Sequence, residues 1–384
     1  MAARTRPFVI VGGGMAADAA ARGIRAVDPE RPILLFSSEP HPPYDRPPLS
    51  KGLWHGTPEE RIWRDTADES VTVRVDSMVT AIDPECREIE LSNGERQGYE
   101  GLVLATGCRP RRLPGDPSGV VYFRDFESYR TVRRAADEGR RIAIIGGGFI
   151  GTELGASLRD SGSSVSLHYP EGAPLERILP GPLPRRIAEA FADRGIELHP
   201  HREVSDGAPL PDADLVVAGV GVEPRVGLAR DAGLEVDGGI RVDASLQCSE
   251  PGIFAAGDVV SFPLPLRGGR YLRLEHESHA NESGMLAGMG VAGSPQRYDP
   301  VPTFYSGFFG VTWEVAGLLE CDDEAPGLHL GASIDDPGVG IYRVGGELGG
   351  LLLWNRPGMM GRAKTLLRDA PGSTDSEILE RLNG

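Results

Sequence analysis

FVIVGGGMAADAA, residues 8–20, opens as an apolar run, turns on three glycines and continues as an alanine-rich stretch to Ala26. Four successive apolar residues fit a strand buried on both faces, and alanine is the best helix former. A second apolar run, Ile33 to Phe36, follows. Strand, glycine turn, helix, strand is the grammar of a βαβ unit. RIAIIGGGFIGTELGASLRD, residues 141–160, repeats it, with its own second strand from Ser164 to His168. One unit used twice predicts an α/β fold with two nucleotide-binding sheets.

The glycine spacing says what the loops are for. In Gly12-x-Gly14-x-x-Ala17 the first glycine permits the tight turn and the second lets backbone approach a pyrophosphate. The small third residue lets helix and strand pack closely, and the helix N-terminus offers free N–H groups to phosphate. The second copy is Gly146-x-Gly148-x-x-Gly151. Each βαβ unit should end its second strand near a carboxylate for a ribose hydroxyl. Ser38 holds the usual place in the first copy, and Glu39 is the carboxylate on offer. In the second copy it is Glu171, which repels a 2′-phosphate and favours NADH; Arg177 lies close by, and NADPH is the less expected cofactor.

Further apolar strands run Leu102 to Leu104, closing on Ala105-Thr106-Gly107, then Leu215 to Gly221 and Ile253 to Asp258. Short strands at Val71–Val75, Met78–Asp83 and Glu88–Leu91, with a turn at Asn93-Gly94, make a β-rich stretch between the two repeats. After residue 300 the grammar changes. Strands around 304–319, 338–344 and 347–354 precede short helices near 359–369 and 375–383. Proline-rich links are expected near 295–302 and 322–337. The predicted division is a first dinucleotide-binding domain over 1–114 and 237–300, a second over 115–236, and a C-terminal α+β domain over 301–384.

The 384 residues carry a net charge of −16. Such a chain repels nucleic acid and anionic membranes, so neither is an expected partner. Arginine clusters at Arg109, Arg111, Arg112 and at Arg130, Arg133, Arg134 read as solvated surface. Cys86, Cys108, Cys248 and Cys321 form no C-x-x-C pair and no zinc knuckle, and no metal site is expected. No run reaches about 18 apolar residues, so no membrane span is expected, and the N-terminus carries no secretory pattern. A cytoplasmic protein is the expectation.

Longer strings carry a family resemblance. PPYDRPPLSKGLW (42–54), GGGFIGTELGASL (146–158), AGVGVEP (218–224) and GIFAAGDV (252–259) resemble two-dinucleotide flavoproteins of the ferredoxin-reductase class. YPEGAPLERILP (169–180), LEHESHANESGMLAG (274–288), TFYSGFFG (303–310) and GGLLLWN (349–355) are most similar to apoptosis-inducing-factor-like members. The resemblance covers nearly the whole chain. The mitochondrial targeting segment, the long insertion between C-terminal strands and the basic character of those relatives are missing. That argues for the redox core without an apoptotic role.

What the resemblance implies is one non-covalent FAD and one NADH. Lys51 would lie near flavin N5 and pair with Glu153, and Phe149 would stack at the flavin as a gate that nicotinamide displaces. Arg46, Ala105, Thr106, Gly107, Gly257, Asp258, His276 and Tyr305 would contact FAD. Ile150, Gly219, Val220, Gly221, Glu277 and Glu314 would contact the nicotinamide dinucleotide. The implied function is an NADH:acceptor oxidoreductase, passing hydride from nicotinamide C4 to flavin N5. The acceptor could be a quinone, a small molecule or a small redox protein. The alternatives are a reductase of ferredoxin or rubredoxin, and a redox-gated protein that dimerises.

Overall fold

The computed structural model describes residues 6–321 and 325–383; positions 322–324 of the expected link at 322–337 lie outside them. The chain forms two compact units.

The first unit comprises Met1–Arg46, Pro58–Arg109 and Glu223–Pro300. Its main sheet has five strands in the order Ile253–Ala255, Gly101–Leu104, Phe8–Val11, Ile33–Phe36, Val71–Arg74. Every neighbouring pair is parallel. Phe8–Val11 sits in the centre and is buried at all four positions, as the unbroken apolar run requires. The helix Met15–Val27 carries the chain back to Ile33–Phe36. Against it lies the helix Glu277–Val291, so close that a Cβ on Gly284 or Gly288 would stand 2.4 or 2.0 Å from the carbonyl oxygens of Ala16 or Ala20. A three-stranded antiparallel sheet, Val79–Asp83, Glu88–Leu91 and Arg96–Gly98, turns at the Asn93-Gly94 expected from sequence.

The second unit comprises Pro47–Thr57, Pro110–Val222 and Val301–Gly384. It contains a second parallel sheet, in the order Glu197–His199, Val165–His168, Ile142–Ile145, Leu215–Ala218, Val120–Tyr122. Ala143, Ile145, Val216, Ala218 and Leu113 form its apolar cluster. The same unit holds a five-stranded antiparallel sheet, in the order Thr303–Phe308, Val311–Gly317, Glu347–Trp354, Gly338–Val344, Gly327–Leu330. The helices Met360–Asp369 and Asp375–Asn383 supply Ala363, Leu366, Leu367, Ile378 and Leu382 to the core with Leu351 and Leu353.

The eleven-residue excursion Pro47–Thr57 belongs to the second unit although its sequence neighbours on both sides belong to the first. Trp54 fastens it there. Its indole N–H donates to the Leu49 carbonyl at 2.7 Å, and its ring meets Tyr129 edge-on with centroids 5.5 Å apart. Tyr129 lies on Phe126–Asp137, a helix that sequence reading passed over although it starts on a capping box between Asp125 and Ser128.

Candidate functional site

Each unit carries one glycine loop, and the two are built alike. Gly12 has φ +138°, and a Cβ there would lie 2.1 Å from the Ala105 carbonyl oxygen. Gly146 has φ +121°, with the Gly219 carbonyl oxygen 2.4 Å from such a Cβ. Only glycine satisfies both the conformation and the space. In contrast, a Cβ on Gly14 or Gly148 would meet nothing within 4 Å. These second glycines face open room at the start of their helices. Neither Met15–Val27 nor Phe149–Asp160 has a side-chain cap, so first-turn N–H groups remain for an anion. Open room beside uncapped N–H groups fits a pyrophosphate in each loop.

In the first unit Ser38 is exposed, and Ser37 turns its hydroxyl back to accept from the Glu39 N–H at 3.1 Å. Glu39 itself accepts from the Tyr44 hydroxyl at 2.7 Å and pairs with Arg46. Burial alone would raise its carboxyl, but Arg46 and Tyr44 outweigh burial and hold it below its ordinary value. Glu39 is therefore an oriented, ionised acceptor. Thr106 donates to the Arg225 carbonyl at 2.9 Å.

Gly257 is gripped from the helix Glu277–Val291. Its N–H donates to Ser283 Oγ at 2.9 Å, and its carbonyl lies 3.2 Å from His279 Nε2. His279 Nδ1 lies 2.7 Å from the Tyr298 hydroxyl. Burial lowers His279 to about 4, so the ring is neutral. Donation from Nε2 to Gly257 and acceptance at Nδ1 from Tyr298 then satisfy both nitrogens. His276, the residue before the helix, is likewise lowered to about 4 by burial and by His279. Glu277 occupies the helix's first turn. The backbone around Asp258 is thus fixed by residues that no motif had singled out.

In the second unit Ile150 and Gly151 lie against Gly219, the latter bonded through its N–H to the Ile145 carbonyl at 2.8 Å. Val220 packs against the sheet's cluster, and Gly221 takes φ +93°. Glu171 is paired with the exposed Arg177, Nε to Oε1 at 2.5 Å. The charge expected to repel a 2′-phosphate is therefore partly neutralised by the arginine expected to attract one.

Lys51 and Glu153 form the ion pair, Nζ to Oε2 at 2.7 Å, with the Glu153 side chain 4% exposed. Ser50 donates to the same Oε2 and Ser306 to Oε1, both at 2.6 Å. Neither serine was singled out from sequence. The signal for Ser306 was slight: a small hydroxyl on the inward phase of the strand Thr303–Phe308, next to Tyr305. The Lys51 ammonium also stands 5.4 Å from the centroid of the Tyr305 ring, and Tyr305 is 49% exposed, unusual for a large apolar body. Tyr305 pairs directly with Glu314 on the next strand, so the two side chains share one face. Glu314 Oε2 is buried with no hydrogen-bond partner among the described residues. A buried carboxylate oxygen of that kind suits an amide donor, as a nicotinamide carboxamide offers.

Phe149 lies in an aromatic notch. It stacks on Trp313 at 5.5 Å and 21°, and meets Phe304 edge-on at 5.6 Å and 83°. The four cysteines are free thiols, among the described residues no His/Cys/Asp/Glu group could hold a metal ion, and no described helix is long and apolar enough to cross a membrane.

Residues 6–284 match the family described as pyridine nucleotide-disulphide oxidoreductase. The ferredoxin–NAD(+) reductase component of the anthranilate 1,2-dioxygenase system of Burkholderia cepacia is 36% identical over 342 residues, covering 82% of each chain. A putative mitochondrial apoptosis-inducing factor 1 of Drosophila melanogaster is 29% identical, covering 94% of this chain and 63% of that one. Among solved structures, the covalent putidaredoxin reductase–putidaredoxin complex superimposes with a TM-score of 0.88 at 28% identity over 98% of both chains. The chain belongs to the pyridine nucleotide-disulphide oxidoreductase family.

Proposed function

We propose that this protein is an FAD-containing, NADH-dependent oxidoreductase that delivers electrons to a small iron–sulfur protein of the ferredoxin class. The observation that carries the reading is the pair of open, uncapped glycine loops, one on each parallel sheet, in a chain 36% identical to a ferredoxin–NAD(+) reductase component. FAD is assigned to the first unit, and the nicotinamide dinucleotide to the 110–222 portion of the second.

Gly12, Gly14 and Ala17 open the first loop to the FAD pyrophosphate, and Glu39, oriented by Tyr44 and Arg46, accepts from the adenosine ribose. Asp258, on backbone clamped by His279 and Ser283, addresses the ribityl chain. Gly146, Gly148 and Gly151 repeat the cradle for the nicotinamide dinucleotide, and Glu171 with Arg177 reads its ribose. Bound together, the two cofactors supply the hydride transfer themselves, without need of a protein acid or base. The chain supplies position and field. Lys51, anchored on a buried carboxylate, places a fixed positive charge for the flavin's reacting edge. Phe149 would be the ring that nicotinamide displaces, and Glu314 would hold its carboxamide.

The four free cysteines suit a mechanism without a redox disulfide. The test is anaerobic. The purified yellow protein should be bleached by NADH, and its flavin reoxidised far faster by a ferredoxin than by quinones or dyes. Reoxidation by quinone alone would reject the iron–sulfur acceptor, and a flavin that NADH fails to bleach would reject the whole assignment.

A further inference from the structure

Glu153 is a carboxylate almost wholly removed from water, at 4% exposure. Its two oxygens are served unequally. Oε2 accepts from both Lys51 Nζ and Ser50 Oγ, whereas Oε1 accepts from Ser306 Oγ at 2.6 Å and from no other group recorded among the described residues. Both serines are 3% exposed and so are shielded from bulk solvent. A buried carboxylate oxygen left without a donor is unfavourable by the full desolvation of a charged acceptor. It would turn to compete for the donors on Oε2, and that response moves the Lys51 ammonium.

The frame around these donors is stiff. Ser306 is held in register opposite Trp313 in the antiparallel sheet. Ser50 is clamped twice by one helix face: its hydroxyl donates to Glu153, and its carbonyl accepts from Ser157 Oγ at 2.8 Å, one turn further on. The position of Lys51 is therefore set from Glu153, and the orientation of Glu153 is set from the strand Thr303–Phe308.

We infer that Ser306 is a positioning residue for the redox site: its hydrogen bond to Glu153 Oε1 fixes the carboxylate that holds the Lys51 ammonium. The inference rests on the reading of Lys51 and Glu153 given above. It adds that the antiparallel sheet, through one hydroxyl, sets the orientation of that ion pair.

The test uses the FAD-loaded protein and reads the flavin's absorption spectrum and midpoint potential beside the rate of reduction by NADH. Ser306→Ala and Ser306→Cys should move spectrum and potential in the same direction as Glu153→Gln and slow reduction about tenfold, the worth of one charge-assisted hydrogen bond. Ser306→Thr, which keeps the hydroxyl, should restore all three. If Ser306→Ala does not fold, Ser306→Cys decides. Ser306 variants that bind FAD with wild-type spectrum and potential, while Glu153→Gln shifts both, would overturn the role of Ser306 alone. Glu153→Gln and Lys51→Met that both leave the flavin unchanged would overturn the underlying reading and Ser306 with it.

Discussion

Lys51→Met removes an ammonium from a carboxylate that cannot leave its buried seat. Breaking a fully buried pair typically costs about 3–5 kcal/mol, because one charge is left uncompensated. Two features of this site reduce the figure. The Lys51 side chain is 27% exposed, so water already shares its charge. Ser50 and Ser306 still donate to Glu153 after the lysine is gone. The expected loss is about 1–2 kcal/mol, read as a lower urea midpoint at unchanged slope for the second unit. Glu153→Gln should lose a similar amount, since it leaves Lys51 without its anion. The double variant should be less destabilised than the sum of the singles by about 1 kcal/mol. Both single variants should retain FAD, with an altered flavin spectrum and slower reduction by NADH. Double-mutant effects that add within about 0.5 kcal/mol would refute the pair as an energetic unit.

Phe149→Ala removes a ring from its contacts with Trp313 and Phe304, each aromatic pair being worth about 0.5–1.5 kcal/mol. Stability should fall by about 1–3 kcal/mol, apparent NADH affinity should rise, and aerobic NADH oxidation should accelerate; a stability loss with neither kinetic gain would make Phe149 packing alone. NADH should bleach the flavin faster than NADPH, and Glu171→Gln, by releasing Arg177, should narrow the gap; equal wild-type rates would mean that Arg177 governs the pocket. His279 titrates at about 4 when folded against an ordinary 6.5, because burial disfavours its charged form. Between those values the unfolded chain binds the extra proton, so stability rises with pH across that window and is lost as pH falls through it. The contribution is at most about 3 kcal/mol. Urea midpoints from pH 7 to pH 4 should therefore decline more steeply in the wild type than in His279→Gln, and identical slopes would contradict the assignment.

Much of the protein is written locally in its sequence. Phe8–Val11 and Ile142–Ile145 are four-residue apolar runs because they lie in the middle of parallel sheets, and burial on both faces leaves no polar alternation. Gly12 and Gly146 announce their loops because a positive φ and a carbonyl within 2.4 Å of any Cβ admit no other residue. The strands around 304–319, 338–344 and 347–354 and the final helices were legible for the same reason, since period and turn chemistry are properties of neighbours in the chain; the edge strand Gly327–Leu330 was not, lying where a proline-rich link was expected. The helix Glu277–Val291 was not: it packs glycine against the Met15–Val27 backbone, and its composition shows no amphipathic stripe. Family strings suggested that Lys51 meets Glu153, but not what holds Glu153. Ser50 and Ser306 are 103 and 153 positions from it, and a serine in a strand looks the same whether its hydroxyl faces water or a buried carboxylate. The excursion Pro47–Thr57 likewise joins the second unit through Trp54, Tyr129 and Ser157. Sequence alone set the central parallel strands, the helices that follow their glycines and the two phosphate loops, because these depend on local conformation and burial. Only the tertiary structure set the charge environment of Lys51, because a buried carboxylate is satisfied by whichever donors the fold brings within about 3 Å, whatever their distance along the chain.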